Sequence, residues 1–265
     1  MRFALIGNGF IGSRHIQAIE RIGGKLVWVC DIDESKKVEG LNFTKDYREI
    51  PIKDIDYAII CTPNHLHFEM AQYFRGDEVE VLCEKPPIID SEDFNGSFYD
   101  FNVVLQLHYA KKVMELKKTM NDKPKLIEMD VRVYRDKSYW EGWKGKENKS
   151  GGILFNIGVH YIDLLIYLFG KNFKVLKKSY SKNEASGIIE FGNSIAKYHF
   201  EIMDTNKGQT RSLKINGDEI ELSNKDNLSY EDLHLDVYKA MLEGNCNQFS
   251  QTFTLIKLIE DLKNV

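Results

Sequence analysis

Residues 2–21 read RFALIGNGFIGSRHIQAIER, and this stretch decides the fold. Phe3 to Ile6 is a short apolar run of the kind a buried strand needs. Gly7-Asn8-Gly9-Phe10-Ile11-Gly12 follows as a GxGxxG, and Ser13 to Arg21 then carries apolar residues at helical spacing through Ile16 and Ile19. In such a strand–turn–helix the first glycine makes the turn and the second lets backbone approach a pyrophosphate. The third lets the helix pack on the strand. The opening amides of the helix carry partial positive charge toward the phosphates. Gly7, Gly9, Phe10, Ile11 and Gly12 are therefore candidate dinucleotide contacts. A second strand, Leu26 to Cys30, ends at Asp31 and Ile32. An acid at that point accepts hydrogen bonds from a ribose and repels a ribose phosphate, so NAD is expected over NADP.

Working outward, Tyr57 to Cys61, Val79 to Cys83 and Val103 to Leu107 are further apolar runs, with a helical stretch through Phe68, Ala71 and Phe74 between the first two. Continuous apolar strands separated by helices imply a parallel sheet covered on both faces. The segment from Gly40 to Pro51 is too short for a helix, so that crossover is expected to be trimmed. Past residue 110 the pattern changes to alternation. Ile127, Met129, Val131 and Val133 interleave with Glu128, Asp130 and Arg132, and Ala196, Tyr198, Phe200 and Ile202 interleave with Lys197, His199 and Glu201. These are strands with one wet face. Asn216-Gly217 is the preferred two-residue turn of a β-hairpin, and helical spacing returns at Leu233 to Leu242 and near the C-terminus. The expected architecture is an α/β Rossmann domain over 1–112, followed over 113–265 by an α+β domain with a mostly antiparallel sheet.

The bulk numbers exclude some classes. In 265 residues, 43% hydrophobic and 29% charged residues make an ordinary globular composition. A net charge of -4 leaves no basic excess for binding nucleic acid through its phosphates. The start of the chain lacks the pattern of a signal peptide, and the longest apolar stretch, Ile153 to Phe169, is interrupted by Asn156, His160 and Asp163. No membrane span and a cytoplasmic location are expected. Cys30, Cys61, Cys83 and Cys246 form no CxxC pair, so neither a metal site nor a disulfide is called for.

Two further features suggest chemistry. In VLCEKPP, residues 81–87, a buried strand ends at Glu84-Lys85 and two prolines stiffen the backbone beside them, as though Lys85 were being aimed. In GGILFNIGVHYID, residues 151–163, Asn156, His160 and Asp163 form a narrow polar stripe on a helix that is otherwise apolar nearly all round. A polar stripe on a buried helix must face partners or a ligand.

The GxGxxGxxH start through His15, CTPNHLH at 61–67 and Glu84-Lys85-Pro86 together resemble the glucose–fructose oxidoreductase / inositol dehydrogenase family, across nearly the whole chain. The resemblance implies a nicotinamide-dependent oxidation of a sugar or cyclitol hydroxyl, with Lys85 beside the nicotinamide and on the reacting hydroxyl. It puts Cys61, Thr62, Pro63, Asn64, His65, Glu84 and Gln106 on the cofactor side, and His15 near the phosphate loop. Gly142-Trp143-Lys144-Gly145, Lys149-Ser150-Gly151-Gly152, Asn156 to His160 and LHLDVYKAMLEGN are similar to one branch, the UDP-N-acetylglucosaminuronate 3-dehydrogenases of bacterial surface-polysaccharide synthesis.

In that branch the expected substrate is a UDP-linked N-acetylamino uronic acid, oxidised at its 3-hydroxyl, by a homo-oligomer (dimer or tetramer) built through the C-terminal sheet. Asn156 stands where the family has an aspartate, and an amide cannot take a proton. Base duty then falls on His160 or Lys85, while Asn156 orients the sugar. Asp163, Tyr134, Arg135, Tyr139, Lys144 and Ser150 are further candidate substrate contacts. The chain is shorter than is usual for the family, around Met203 to Gly208 and after Gly244. The same chemistry on a free sugar or inositol, and a non-catalytic NAD-binding regulator, are the alternatives.

Overall fold

A computed structural model describes residues 1–94, 96–121, 123–220, 222 and 231–264. The chain forms two compact units, Met1–Gln106 with Tyr230–Thr252, and Leu107–Ser229 with Phe253–Val265. The first unit ends six residues before the expected boundary at 112. It also recovers a late segment that the sequence pattern assigns to the second domain.

In the first unit the elements are β1 (Arg2–Ile6), α1 (Gly12–Arg21), β2 (Lys25–Cys30), β3 (Asn42–Thr44), β4 (Tyr57–Ile60), α2 (His67–Gly76), β5 (Glu80–Cys83) and β6 (Asn102–Val103). All six strands are parallel, in the order β3-β2-β1-β4-β5-β6. This is the doubly wound order whose ligand crevice opens where the strand order reverses, beyond the carboxyl ends of β1 and β4. Phe3, Leu5, Ile59, Ile60, Val81 and Leu82 are wholly buried, as strands covered on both faces require.

Two local expectations change. The 40–51 segment contains β3, a three-residue strand missed because only Phe43 in it is apolar. The strand expected from Val103 to Leu107 pairs only at Asn102–Val103 and then turns, with the Leu105 N–H donating to the Val103 carbonyl and a 3₁₀ turn over Gln106–Tyr109. Val103, Val104, Leu105 and Leu107 are apolar because they are packed, not because they are paired.

The second unit holds α3 (Lys111–Thr119), β7 (Leu126–Tyr134), α4 (Lys137–Glu141), α5 (Glu147–Ser150), α6 (Val159–Phe169), β8 (Phe173–Tyr180), β9 (Glu184–Phe191), β10 (Ser194–Met203), β11 (Thr210–Ile215) and β12 (Asp218–Glu219). α7 (Glu231–Leu242) returns to the first unit, and α8 (Phe253–Lys263) closes the second. The strand order is β12-β11-β7-β10-β9-β8, antiparallel except for the central β7–β10 pair. Burial alternates along β7 and β10 as the sequence predicts. Asn216 and Gly217 take the positive φ values, 54° and 87°, that the hairpin turn between β11 and β12 demands. Residue 221, near the end of that hairpin's sequence, lies outside the described residues.

Leu154–Gly158 forms a π-helical turn running directly into α6. Among the described residues, the run Glu147–Phe169 is the one helix long and apolar enough to cross a membrane, and 67% of its most apolar window is buried inside the protein. Burial by protein accounts for its composition.

Candidate active site

The glycine turn is built as its spacing requires. Gly7 has φ +91°, and a Cβ on it would lie 2.8 Å from the Cys61 carbonyl, so the turns after β1 and β4 touch backbone to backbone. A Cβ on Gly12 would meet Asn8 Oδ1 at 2.6 Å, which keeps the first turn of α1 close to the loop. A Cβ on Gly9 would meet nothing within 4 Å. Gly9 thus borders open space, as a loop that admits a pyrophosphate needs, and α1 begins without a side-chain cap. Phe10 and Ile32 are 76% and 86% exposed, and Ile11 is half-buried. Asp31 accepts hydrogen bonds from the Asn8 N–H (2.8 Å) and the Asp33 N–H (2.9 Å). These fix its carboxylate next to the glycine loop, and each oxygen keeps a further lone pair for a ribose hydroxyl. The residues present fit a dinucleotide held by Gly7 to Gly12 and Asp31.

After β4, Cys61, Thr62, Pro63 and His65 are half-exposed, Asn64 is buried, and Asn64–Leu66 forms a 3₁₀ turn. His67 sits beneath them, 1% exposed, with Nε2 2.7 Å from the Thr62 carbonyl and Nδ1 2.7 Å from the Pro86 carbonyl. It sits between the turn after β4 and the turn after β5, a neutral ring donating to one of the two carbonyls and packing against the other, which is a structural part. Burial pushes its pKa below the ordinary histidine value of 6.5, against the two carbonyl contacts that favour the cation.

After β5, every residue from Val81 to Ile88 is buried except Lys85, and the Lys85–Pro86 bond is cis. Gln106, expected on the cofactor side, is 5% exposed. Glu84 points inward. Its Oε1 lies 3.0 Å from His15 Nε2 and 3.3 Å from His234 Nε2, and its Oε2 accepts the Lys85 backbone N–H at 3.2 Å. Burial alone would raise the Glu84 pKa, but the bonds from His15 and His234 outweigh it and hold the acid well below the usual carboxylate value of 4.5. His15 Nδ1 in turn lies 2.9 Å from the Tyr238 hydroxyl. His15, expected near the phosphate loop, thus faces into the unit from α1.

In the second unit, Asn156 and His160 are the only residues from Ile153 to Ile166 that are not buried. The π turn carries more residues per turn than an α-helix, so the strict 100° stripe does not hold. Asp163 departs from it: buried, it lies 2.7 Å from His108 Nε2, and the His108 ring stacks on Tyr167 at 4.0 Å. Asn156 Nδ2 donates to the Tyr139 hydroxyl at 2.7 Å. Arg135 lies over the Tyr139 ring at 5.7 Å and donates to the Tyr134 carbonyl, and burial lowers its pKa below the ordinary guanidinium value. Tyr139, Trp140, Lys144, Ser150 and Lys182 line a pocket of about 180 Å³.

Three expected ligand contacts therefore turn inward, each for a physical reason. Glu84 is held by two histidines, Asp163 by His108, and Ser150, though it borders the pocket, uses its hydroxyl to donate to the Lys146 carbonyl and accept the Gly152 N–H. Tyr139, Asn156, Arg135 and Tyr134 are brought together. His108, His234 and Tyr238 escaped the sequence reading. The signal for two of them was present: His234, Val237, Tyr238 and Met241 fall at i, i+3, i+4 and i+7, so His234 had to be a polar residue on the buried face of α7.

Six parallel strands in switch-point order, a glycine turn bordering open space and an acid closing β2 define a dinucleotide-binding protein of the Rossmann class, joined here to an α/β second unit. The chain belongs to the oxidoreductase family with an NAD-binding Rossmann fold, matched over residues 1–96, whose C-terminal alpha/beta domain is matched over 121–257. It is similar to the WlbA (WbpB) dehydrogenase of Thermus thermophilus, solved in complex with NAD and UDP-GlcNAcA. The identity is 27% and the TM-score 0.83, covering 100% of this chain and 95% of that one. An inositol 2-dehydrogenase of Salmonella typhimurium is 24% identical over 196 residues, 67% of this chain and 57% of that protein. A glucose-6-phosphate 3-dehydrogenase of Bacillus subtilis is 26% identical over 198 residues, 65% of this chain and 55% of that protein. The matches to these curated relatives thus span little more than half their length.

Proposed function

We infer that this protein is an NAD-dependent dehydrogenase that oxidises a ring hydroxyl, the 3-hydroxyl, of a UDP-linked N-acetylamino uronic acid used in surface-polysaccharide synthesis. The observation that carries this reading is the likeness, along the entire chain, to a dehydrogenase solved with NAD and UDP-GlcNAcA. When bound, a nicotinamide cofactor accepts hydride from the carbon bearing the hydroxyl. The chain's own residues must then hold the cofactor, remove the hydroxyl proton and orient the sugar. Gly7, Gly9, Phe10, Ile11, Gly12, Asp31, Ile32 and the Cys61 to His65 turn take the first task. Lys85 and His160, each the ionisable opening in a buried run, share the second, one drawing off the proton and the other hydrogen-bonding the same hydroxyl oxygen. Asn156, with its amide fixed by Tyr139, takes the third, and Arg135, Tyr134 and Lys144 complete the contacts to an anionic substrate. The same reading sets the reaction in the cytoplasm and the enzyme in a homo-oligomer formed through its second sheet.

Asn156 bears on the substrate class. A carboxylate at that position would repel a uronic acid, whereas an amide keeps the hydrogen bonding without the charge. Incubation with NAD and a panel of UDP-sugars, free hexoses and inositols, followed by absorbance of the reduced cofactor, tests the reading. UDP-N-acetylglucosaminuronate should be turned over much better than UDP-N-acetylglucosamine, and Asn156→Asp should weaken the acidic substrate more than the neutral one. Preference for inositol or a hexose would instead support the second reading, favoured by the inositol and glucose-6-phosphate dehydrogenases among the relatives.

A further inference from the structure

The Glu84 cluster carries an inference that rests on the proposed dehydrogenase function. An ionised carboxylate only accepts hydrogen bonds, so both Nε2 atoms that reach Oε1 must carry hydrogen. His15 is 0% exposed, and burial lowers its pKa, so its ring is neutral with the single hydrogen on Nε2. Its Nδ1 must then accept, and the Tyr238 hydroxyl at 2.9 Å is the donor. Tyr238 is also wholly buried, and burial raises its pKa well above 10, so the phenol keeps its proton. The hydrogens that reach His15 and Glu84 are thereby assigned: Tyr238 donates to His15, His15 and His234 donate to Glu84 Oε1, and Glu84 Oε2 accepts the Lys85 N–H.

We propose that His234 and Tyr238 on α7 are positioning residues for Lys85, acting through Glu84. The carboxylate can hold the Lys85 backbone in one place only if its other oxygen is satisfied, and α7 supplies one of the two donors and the group that sets the tautomer of the other. A segment about 150 residues away in sequence thus fixes the backbone from which the lysine side chain departs. Displacements on the order of 1 Å at a reacting group cost roughly 10²-fold in rate.

The test compares His234→Leu, which removes the donor, with His234→Gln, whose side-chain N–H can replace Nε2–H, and with Tyr238→Phe, which removes only the hydroxyl. Two readouts are taken on the full chain. The first is the NMR signal of Lys85 after ¹³C reductive methylation, assigned by its loss in Lys85→Arg. The second is steady-state turnover of the best sugar in the panel, with NAD affinity measured by titration. In His234→Leu the Lys85 signal should move and kcat should fall by roughly 10- to 100-fold, with sugar KM and NAD affinity within about twofold. His234→Gln should restore both, and Tyr238→Phe should shift both in the same direction by less. If His234→Leu does not fold, Tyr238→Phe decides.

An unmoved lysine signal with unchanged kcat, or glutamine no better than leucine, overturns the proposal. So does a stoichiometric divalent metal in the purified protein by elemental analysis, because His15, Glu84 and His234 bring their ligand atoms within 4.8 Å of one another. If the wild-type protein oxidises no sugar, the functional reading fails by itself, and the lysine signal alone then decides the positioning role.

Discussion

Lys85 and His160 share a local property that composition does not reveal: each is an ionisable side chain left partly open where its neighbours are closed. Lys85 is the one exception in Val81 to Ile88, and His160 shares the exception in Ile153 to Ile166 with Asn156 alone. Desolvating such a run is wasteful for a merely solvated surface charge, which would sit on an open face. Lys85→Ala and His160→Ala should therefore each lose about 10²–10⁴-fold in turnover, the usual cost of a general base or its partner. Binding of NAD, measured by calorimetry, should persist in both. A variant with near-normal turnover removes its residue from the mechanism. The inward turn of Glu84 teaches the complementary lesson. Its place in the EKP motif was legible, but whether a carboxylate faces a ligand or two histidines depends on residues 69 and 150 positions away.

At the scale of elements, the β1–α1 turn yields a prediction that separates structural glycine from functional glycine. Gly7 has positive φ, and an added Cβ would strike backbone atoms of Cys61 and Thr62 at 2.8–2.9 Å, which cannot rotate away. Gly9→Ala meets no protein atom within 4 Å. Gly7→Ala should thus cost about 1–3 kcal/mol of stability from backbone strain alone, and NAD binding with it. Gly9→Ala should leave the melting temperature of the free protein unchanged yet weaken NAD at least tenfold. If Gly9→Ala binds NAD normally, the open space beside it is not the phosphate site.

This turn was legible because its chemistry is local, as were β7 and β10 through their alternation and the Asn216-Gly217 hairpin through its φ demands. β8 was not. It is an edge strand carrying Lys174, Lys177 and Lys178 with a register shift between Val175 and Lys177, so lysines that protect the edge erase the alternation that would announce it. The π turn before α6 was equally hidden, since periodicity assumes the α-helical repeat. The motifs that propose the candidate site are local and could be read from the sequence, but the partners that hold Glu84 and Asp163 could not, because those depend on which distant segment fills the core.

For the whole molecule, the decisive fact is that the first unit is discontinuous. The chain leaves it after Gln106 and returns with α7, which brings His234 and Tyr238 to Glu84, and with residues 246–249, where the Asn247 carbonyl accepts the Val103 N–H and the Phe249 N–H donates to the Phe101 carbonyl at the β6 edge. Three buried ionisable groups of that unit share one sign of pH dependence. His15 and His67 have folded pKa values below the ordinary 6.5, so the folded state binds fewer protons than the unfolded one as pH falls through that value, and stability drops. Glu84 is held below 4.5, so its contribution is present above that pH and is lost as pH falls through 4.5 and below. Stability should then decline steadily from pH 7.5 downward, first through the two histidines and then through the carboxylate. Each unit of pKa displacement is worth about 1.4 kcal/mol, and each kcal/mol moves the melting temperature of a chain this size by about 2–4 °C. Melting followed by scanning fluorimetry should show a fall of several degrees between pH 7.5 and 5.0. His67→Gln, which keeps a donor but cannot be protonated, should flatten part of the slope. A melting temperature constant across this range would mean that these histidines are not held neutral in the folded protein, and the tautomers assigned around Glu84 would have to be redrawn.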